Sequence, residues 1–159
     1  MKLSAMTITA SLRRILLAED SLRDAELALE ALSENHVANL VDHVRDGAEA
    51  LDYLLCRGAY AKRTSGNPGV VLLDLKMPKL DGLEVLRAIK ADPRLKTIPV
   101  VMMTSSREEQ DVVHSYELGV NAYVVKPVGF HEFAEAVKQV GIFWAMLNEP
   151  PMRTSSNGD

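Results

Sequence analysis

Apolar positions along this chain fall into two alternating kinds of segment. Short unbroken runs, ILLA at 15–18, VVLL at 70–73, VVMM at 100–103 and AYVV at 122–125, read as strands. A continuous run, unlike a strict alternation, suits a strand covered on both faces, as in the parallel sheet of an α/β protein. Between the runs, apolar residues recur at helical spacing. Leu22, Ala25, Leu27, Leu29 and Leu32 form one such stripe, with an approximate period; Ala48, Ala50, Leu51, Leu54 and Leu55 form a second; Leu83, Val85, Leu86 and Ile89 form a third. Phe133, Ala134, Val137, Val140 and Trp144 continue the pattern in the last third of the chain.

The pattern predicts strands over 12–18, 36–43, 70–74, 100–104 and 122–125. Helices are expected over 21–34, from 48 to the Arg57-Gly58 pair, from 83 to the Asp92-Pro93 stop, over 108–118 and over 130–147. Asn39 and Asp42 interrupt the second run, which marks it as an edge strand. Polar residues supply the punctuation. Asp20 or Ser21 can cap the first helix, with Asp24 favourable in its first turn, and Asp46-Gly47 marks a turn. Ser106 and Glu109 have capping-box spacing, and Gly119 closes the helix they open. Residues 59–69 are a loop without periodicity. Strand-helix units of this kind wind a sheet on both faces with right-handed crossovers. The expected fold is therefore α/β: a doubly wound, five-stranded parallel sheet, for which the order 2-1-3-4-5 is the common choice at this size.

Length and composition narrow the picture. At 159 residues, 47% hydrophobic and 25% charged, the chain has the makings of one globular domain. Its expected extent is 11–148, with a flexible leader at 1–10 and a flexible tail at 149–159. A formal net charge of -4 argues against a broad nucleic-acid surface. No apolar run approaches the roughly 20 residues that a membrane-crossing helix needs. Cys56 is the single cysteine, and in Leu-Leu-Cys-Arg it reads as a small apolar residue on the buried face of a helix. A reducing, cytoplasmic setting fits.

If the sheet is parallel, the carboxyl ends of its strands bring Glu19, Asp20, Asp74, Thr104 and Lys126 to one rim, where ligands of open α/β sheets bind. Taken singly, each has a plain explanation: Asp74 a turn residue, Glu19-Asp20 a solvated helix start, Thr104 a cap, Lys126 a surface charge. Four strand ends carrying acidic, acidic, hydroxyl and basic groups are poorly explained as independent caps. Three clustered carboxylates repel one another, and a hard divalent cation such as Mg²⁺ relieves that repulsion. With Lys126 and Thr104 beside it, such a site can neutralise a bound or transferring phosphoryl group.

The elements LLAEDS, RDGAEALDYL, VVLLDLKMPKLDG, IPVVMMTSS and NAYVVKP together resemble the receiver domains of bacterial two-component response regulators, over 15 to about 143. The resemblance implies the flavodoxin-like receiver fold. It implies that Asp74 accepts a phosphoryl group from a sensor histidine kinase, that Glu19, Asp20, Asp74 and the carbonyl of Lys76 hold Mg²⁺, and that Lys126 pairs with the phosphoryl group. Thr104 would be the switch hydroxyl and Tyr123 the aromatic residue that follows it. Ser105 and Pro127 would flank the site, with Lys126-Pro127 as a cis peptide. Within the family, the chain looks like stand-alone regulators associated with phytochrome kinases. No fused DNA-binding or other output domain is expected. Switching is expected to alter the face of helix four, strand five and helix five, and with it partner binding or a homodimer through that face, whether made or broken; Phe143-Trp144 is either core or an aromatic anchor for self-association. A phosphorylation-independent adaptor on the same fold is the alternative. A flavoprotein fits less well, because Glu19-Asp20 would repel a cofactor phosphate. The GxxxxGK[ST] and GxGxxG patterns of P-loop and dinucleotide-binding proteins are absent.

Overall fold

The computed structural model describes residues 14–33, 40–105, 109–126 and 129–139. Five strands, β1 (Ile15–Ala18), β2 (Val41–Val44), β3 (Val70–Asp74), β4 (Val100–Thr104) and β5 (Ala122–Val125), form one sheet in the order β2-β1-β3-β4-β5, and every pairing is parallel. Helices α1 (Leu22–Ser33), α2 (Gly47–Leu54), α3 (Gly82–Ala91), α4 (Glu109–Glu117) and α5 (Phe130–Gln139) alternate with the strands. The expected order and the edge position of β2 are borne out.

The unbroken apolar runs have a direct cause: both faces of the sheet are covered. Leu16, Ala18, Val71, Leu73, Val100 and Met102 pack with Ala50, Tyr53 and Leu54 of α2 and Val85, Leu86 and Ile89 of α3. Their neighbours in sequence, Ile15, Leu17, Val70, Leu72, Val101 and Met103, pack on the other face with Ala25, Ala28 and Leu32 of α1 and Phe133 of α5. Each such side chain, fully buried, contributes about 1.5–3 kcal/mol, so a polar substitution anywhere in β1, β3 or β4 removes a core contact on one face or the other. β2 differs because it lies at the edge. Val41, Asp42 and His43 are half-buried and only Val44 is fully enclosed.

Both Asp-Gly dipeptides cap helices instead of turning hairpins. Asp46 accepts from the Glu49 amide at 2.8 Å, and Asp81 forms a reciprocal capping box with Glu84. The glycine after each aspartate is required by close approach. A Cβ on Gly47 would stand 2.1 Å from the Leu80 carbonyl oxygen, and one on Gly82 would stand 2.3 Å from the Asp74 carbonyl oxygen. The loop 75–81 is thus clamped between the starts of α2 and α3.

Beyond α2 the chain folds back on itself around Arg63. Its guanidinium lies 4.0 Å over the Tyr53 ring, and its Nε donates to the Tyr53 carbonyl at 2.9 Å. Asp42 accepts two hydrogen bonds from Arg14, at 2.7 and 2.9 Å, and a third from the Tyr53 hydroxyl. Burial alone would raise the Asp42 pKa, but these donors outweigh it and hold the carboxyl below its ordinary range. The Tyr53 phenol is pushed up to about 12, by burial first and then by the bond to Asp42.

Cys56 corrects the sequence reading. It lies past the end of α2, exposed and at a positive φ of 54°, because α2 ends at Leu54 and the chain turns there. Strands one and two, expected from 12 and 36, begin at Ile15 and Val41, with Arg14 and Leu40 outside them, and β2 runs on to Val44. Residues 12–13 and 36–39, Ser106, Pro127 with its peptide bond, and Phe143-Trp144 lie outside the described residues.

Candidate functional site at the carboxyl edge of the sheet

β1 and β3 run side by side, with Ala18 opposite Leu73, so the residues that follow them emerge at the same edge. Glu19 and Asp74 are buried, at 1% and 3% exposure, whereas Asp20 is open to solvent. One oxygen from each of Glu19, Asp20 and Asp74 lies within 4.8 Å of the others, a spacing at which one cation can touch all three. Hard oxygen donors with one exposed member suit an ion that keeps part of its water shell, as Mg²⁺ does.

Lys126 enters from the end of β5, where its amide donates to the Thr104 carbonyl at 2.8 Å. Its ammonium stands 2.7 Å from Glu19 Oε1, 3.0 Å from Asp24 Oδ2 and 3.2 Å from Asp74 Oδ2. Burial alone would lower the Lys126 pKa, but the carboxylates around it win and raise it. Asp74 moves the other way from a salt-bridged carboxylate: burial, then the hydrogen bond and like charge of Glu19, push it up to about 7 against the pull of Lys126. At an effective dielectric of about 20, a unit charge at 3 Å is worth roughly 5 kcal/mol, so one ammonium cannot balance the carboxylates that share it. The pocket is short of positive charge, and its carboxylate cluster fits a divalent cation.

Main-chain geometry holds Asp74 in place. The Lys76 amide folds back toward Asp74 Oδ1 at 3.4 Å, the Leu75 amide donates to the Met103 carbonyl and the Gly82 amide to the Leu75 carbonyl. Thr104 is buried at the end of β4, and Ser105 next to it is exposed. Tyr123 is half-buried in the middle of β5, opposite Met102, and meets Tyr116 of α4 edge-on with ring centroids 5.7 Å apart. The structure therefore brings Glu19, Asp20, Asp74 and Lys126 together, sets Thr104 and Ser105 at the neighbouring strand end, and leaves Tyr123 further along β5. Sequence reasoning missed the ion pair from Asp24. The two partners are 102 positions apart, and the only local sign was an acidic residue in the first turn of α1.

An open, doubly wound parallel sheet with an acidic, lysine-bearing cluster at its carboxyl edge defines a flavodoxin-like α/β protein. The chain belongs to the response regulator receiver domain family, whose model matches residues 15–138. It is 42% identical over 130 residues to the response regulator Rcp1 of Synechocystis sp., covering 82% of this chain and 87% of Rcp1. The bacteriophytochrome response regulator AtBRR matches at a TM-score of 0.79 and 62% identity, over 87% of this chain and 99% of its own. The phosphorylated cyanobacterial phytochrome response regulator RcpA matches at 0.70 and 44%, over 84% and 94%. The Mn²⁺-bound form of Rcp1 matches at 0.69 and 39%, over 87% and 99%. Phytochrome-associated response regulators are thus among the close relatives of this chain. Among the described residues, no helix is long and apolar enough to cross a membrane.

Proposed function

We propose that this chain is a Mg²⁺-dependent phosphoacceptor switch, in which Asp74 takes a phosphoryl group from a phosphohistidine of a phytochrome-type sensor kinase in the cytoplasm. The observation that carries this reading is the Lys126 ammonium, 3.2 Å from a buried Asp74 that sits in a cation-deficient carboxylate cluster. Its likeness to RcpA, which is phosphorylated, and to Rcp1, which takes Mn²⁺, supports the same reading.

In the proposed step an Asp74 carboxylate oxygen attacks phosphorus in line. The P–O bond forms as the P–N bond to the kinase imidazole breaks, and the electron pair returns to the imidazole nitrogen. Lys126 offsets charge on the equatorial oxygens. Glu19, Asp20, Asp74 and the Lys76 carbonyl would hold Mg²⁺, which would supply further positive charge to offset that of the phosphoryl group. Thr104 would donate its hydroxyl to the phosphoryl group, with Ser105 and Pro127 flanking it, and Tyr123 would follow that movement. The edge-on contact of Tyr123 with Tyr116 supports a link to the face of α4, β5 and α5, which we assign as the surface for a partner or a second copy. Water then hydrolyses the acyl phosphate. Residues 11–148 form the unit that does this, which is self-modifying and not an enzyme acting on an external pool.

Intact-mass measurement after incubation with acetyl phosphate tests the proposal. One phosphoryl group is expected with Mg²⁺, none with excess chelator and none in Asp74→Asn. Persistent labelling of Asp74→Asn would overturn it. Partner affinity unchanged by that substitution would favour the phosphorylation-independent adaptor.

A further inference from the structure

Helix α1 contributes a carboxylate to the pocket that is not part of the cluster with metal-ligand spacing. Asp24 Oδ2 accepts from Lys126 Nζ at 3.0 Å. The Asp24 main chain is fixed by the helix cap, its amide donating to Ser21 Oγ at 3.1 Å. A lysine ammonium has three N–H donors and no acceptor. Three carboxylates stand within reach of them: Glu19 at 2.7 Å, Asp24 at 3.0 Å and Asp74 at 3.2 Å.

The three acceptors differ in what phosphotransfer demands of them. Glu19 and Asp74 belong to the cation-binding cluster, and Asp74 is also the atom donor to phosphorus. Both change partners when the reaction runs. Asp24 has neither task, and it reaches Lys126 from a different element, the first turn of α1. Lys126 can therefore exchange Asp74 Oδ2 for a phosphoryl oxygen without releasing Asp24. We infer that Asp24 is a positioning residue, a fixed tether that keeps the Lys126 ammonium beside Asp74 while Glu19 and Asp74 take new partners. This inference rests on the phosphoacceptor reading above.

A tether of this kind acts on the rate through lysine and leaves the cation site alone. Asp24→Asn keeps the shape and removes the charge. It is expected to lower the maximal rate of labelling by acetyl phosphate on the order of threefold to tenfold, the scale of one charge-assisted hydrogen bond in a partly exposed setting. Mg²⁺ affinity, measured by calorimetry on the same protein, should change less than twofold by the same scale. Asp24→Glu should recover part of the rate. The full cycle with Lys126→Gln separates positioning from a general effect of charge, because Asp24→Asn should have no further consequence once the lysine is gone. As a readout independent of activity, the Lys126 ammonium resonance should exchange faster with solvent in Asp24→Asn than in the unsubstituted chain.

An unchanged rate in Asp24→Asn, an equal loss in the presence and absence of Lys126, or a fall in Mg²⁺ affinity that matches the fall in rate would each overturn the tether. In those cases the unsubstituted chain is still labelled and the phosphoacceptor reading stands. Failure of the unsubstituted chain to label at all would overturn that reading, and the tether with it.

Discussion

Two carboxylates in this molecule, one half-buried and one buried, are treated in opposite ways. Asp42, on the edge strand, receives a bidentate guanidinium from Arg14 and a phenol from Tyr53, and its pKa is held down. Asp74, at the centre of the sheet, shares one ammonium with Glu19 and Asp24, and its pKa is driven up to about 7. The first carboxylate is finished; the second is left wanting a partner. A charge that is fully satisfied stabilises the fold and has nothing to offer a ligand. One that is under-compensated makes cation binding favourable, at some expense to the metal-free protein.

That contrast can be broken by exchanging each carboxylate for an amide and measuring unfolding in chelator-treated buffer. Asp42→Asn should destabilise by about 1–3 kcal/mol, because Arg14 loses its charged partner and Tyr53 its best acceptor. Asp74→Asn should stabilise on the order of 1 kcal/mol, since it removes a buried charge that its surroundings do not balance. Equal signs for the two would erase the distinction.

Acid sharpens it. A carboxylate whose folded pKa is depressed contributes stability above its unfolded value and loses that contribution as pH falls through the folded value. The Asp42 contribution should therefore be complete above about pH 4, the ordinary carboxylate value, and be lost progressively below it as pH falls through the depressed folded value. Acid unfolding of Asp42→Asn should be shallower than that of the unsubstituted chain in the same window. The smallest effect is expected at Arg63, whose guanidinium covers Tyr53 from the exposed side. Arg63→Ala should cost about 1 kcal/mol in thermal unfolding and leave phosphoryl labelling intact.

Much of this architecture could be read from residue order. β1, β3, β4 and β5 were legible because strands buried on both faces leave uninterrupted apolar runs, and the rim residues followed from parallel topology. β2 was harder to place, since an edge strand with Asp42 and His43 half-buried has the composition of a loop. Cys56 was misplaced because its neighbours Leu54 and Leu55 continue the helical stripe, while the backbone turns to positive φ just after them. The Arg14–Asp42 and Asp24–Lys126 pairs join residues 28 and 102 positions apart, and no local periodicity encodes a contact of that range. The charge shortage of the pocket was anticipated from three carboxylates. The fourth, Asp24, had been assigned to its helix alone.

The two glycines that clamp the loop after Asp74 make the two flanks of the pocket unlike. With Gly82 pressed against the Asp74 carbonyl and Gly47 against that of Leu80, the α2 and α3 flank leaves no room for a larger side chain at either glycine. β4 ends on the opposite flank in a hydroxyl and an exposed serine, and Tyr123 within β5 leans on α4. Asp74 therefore sits between a flank where backbone meets backbone and a flank that ends in side chains.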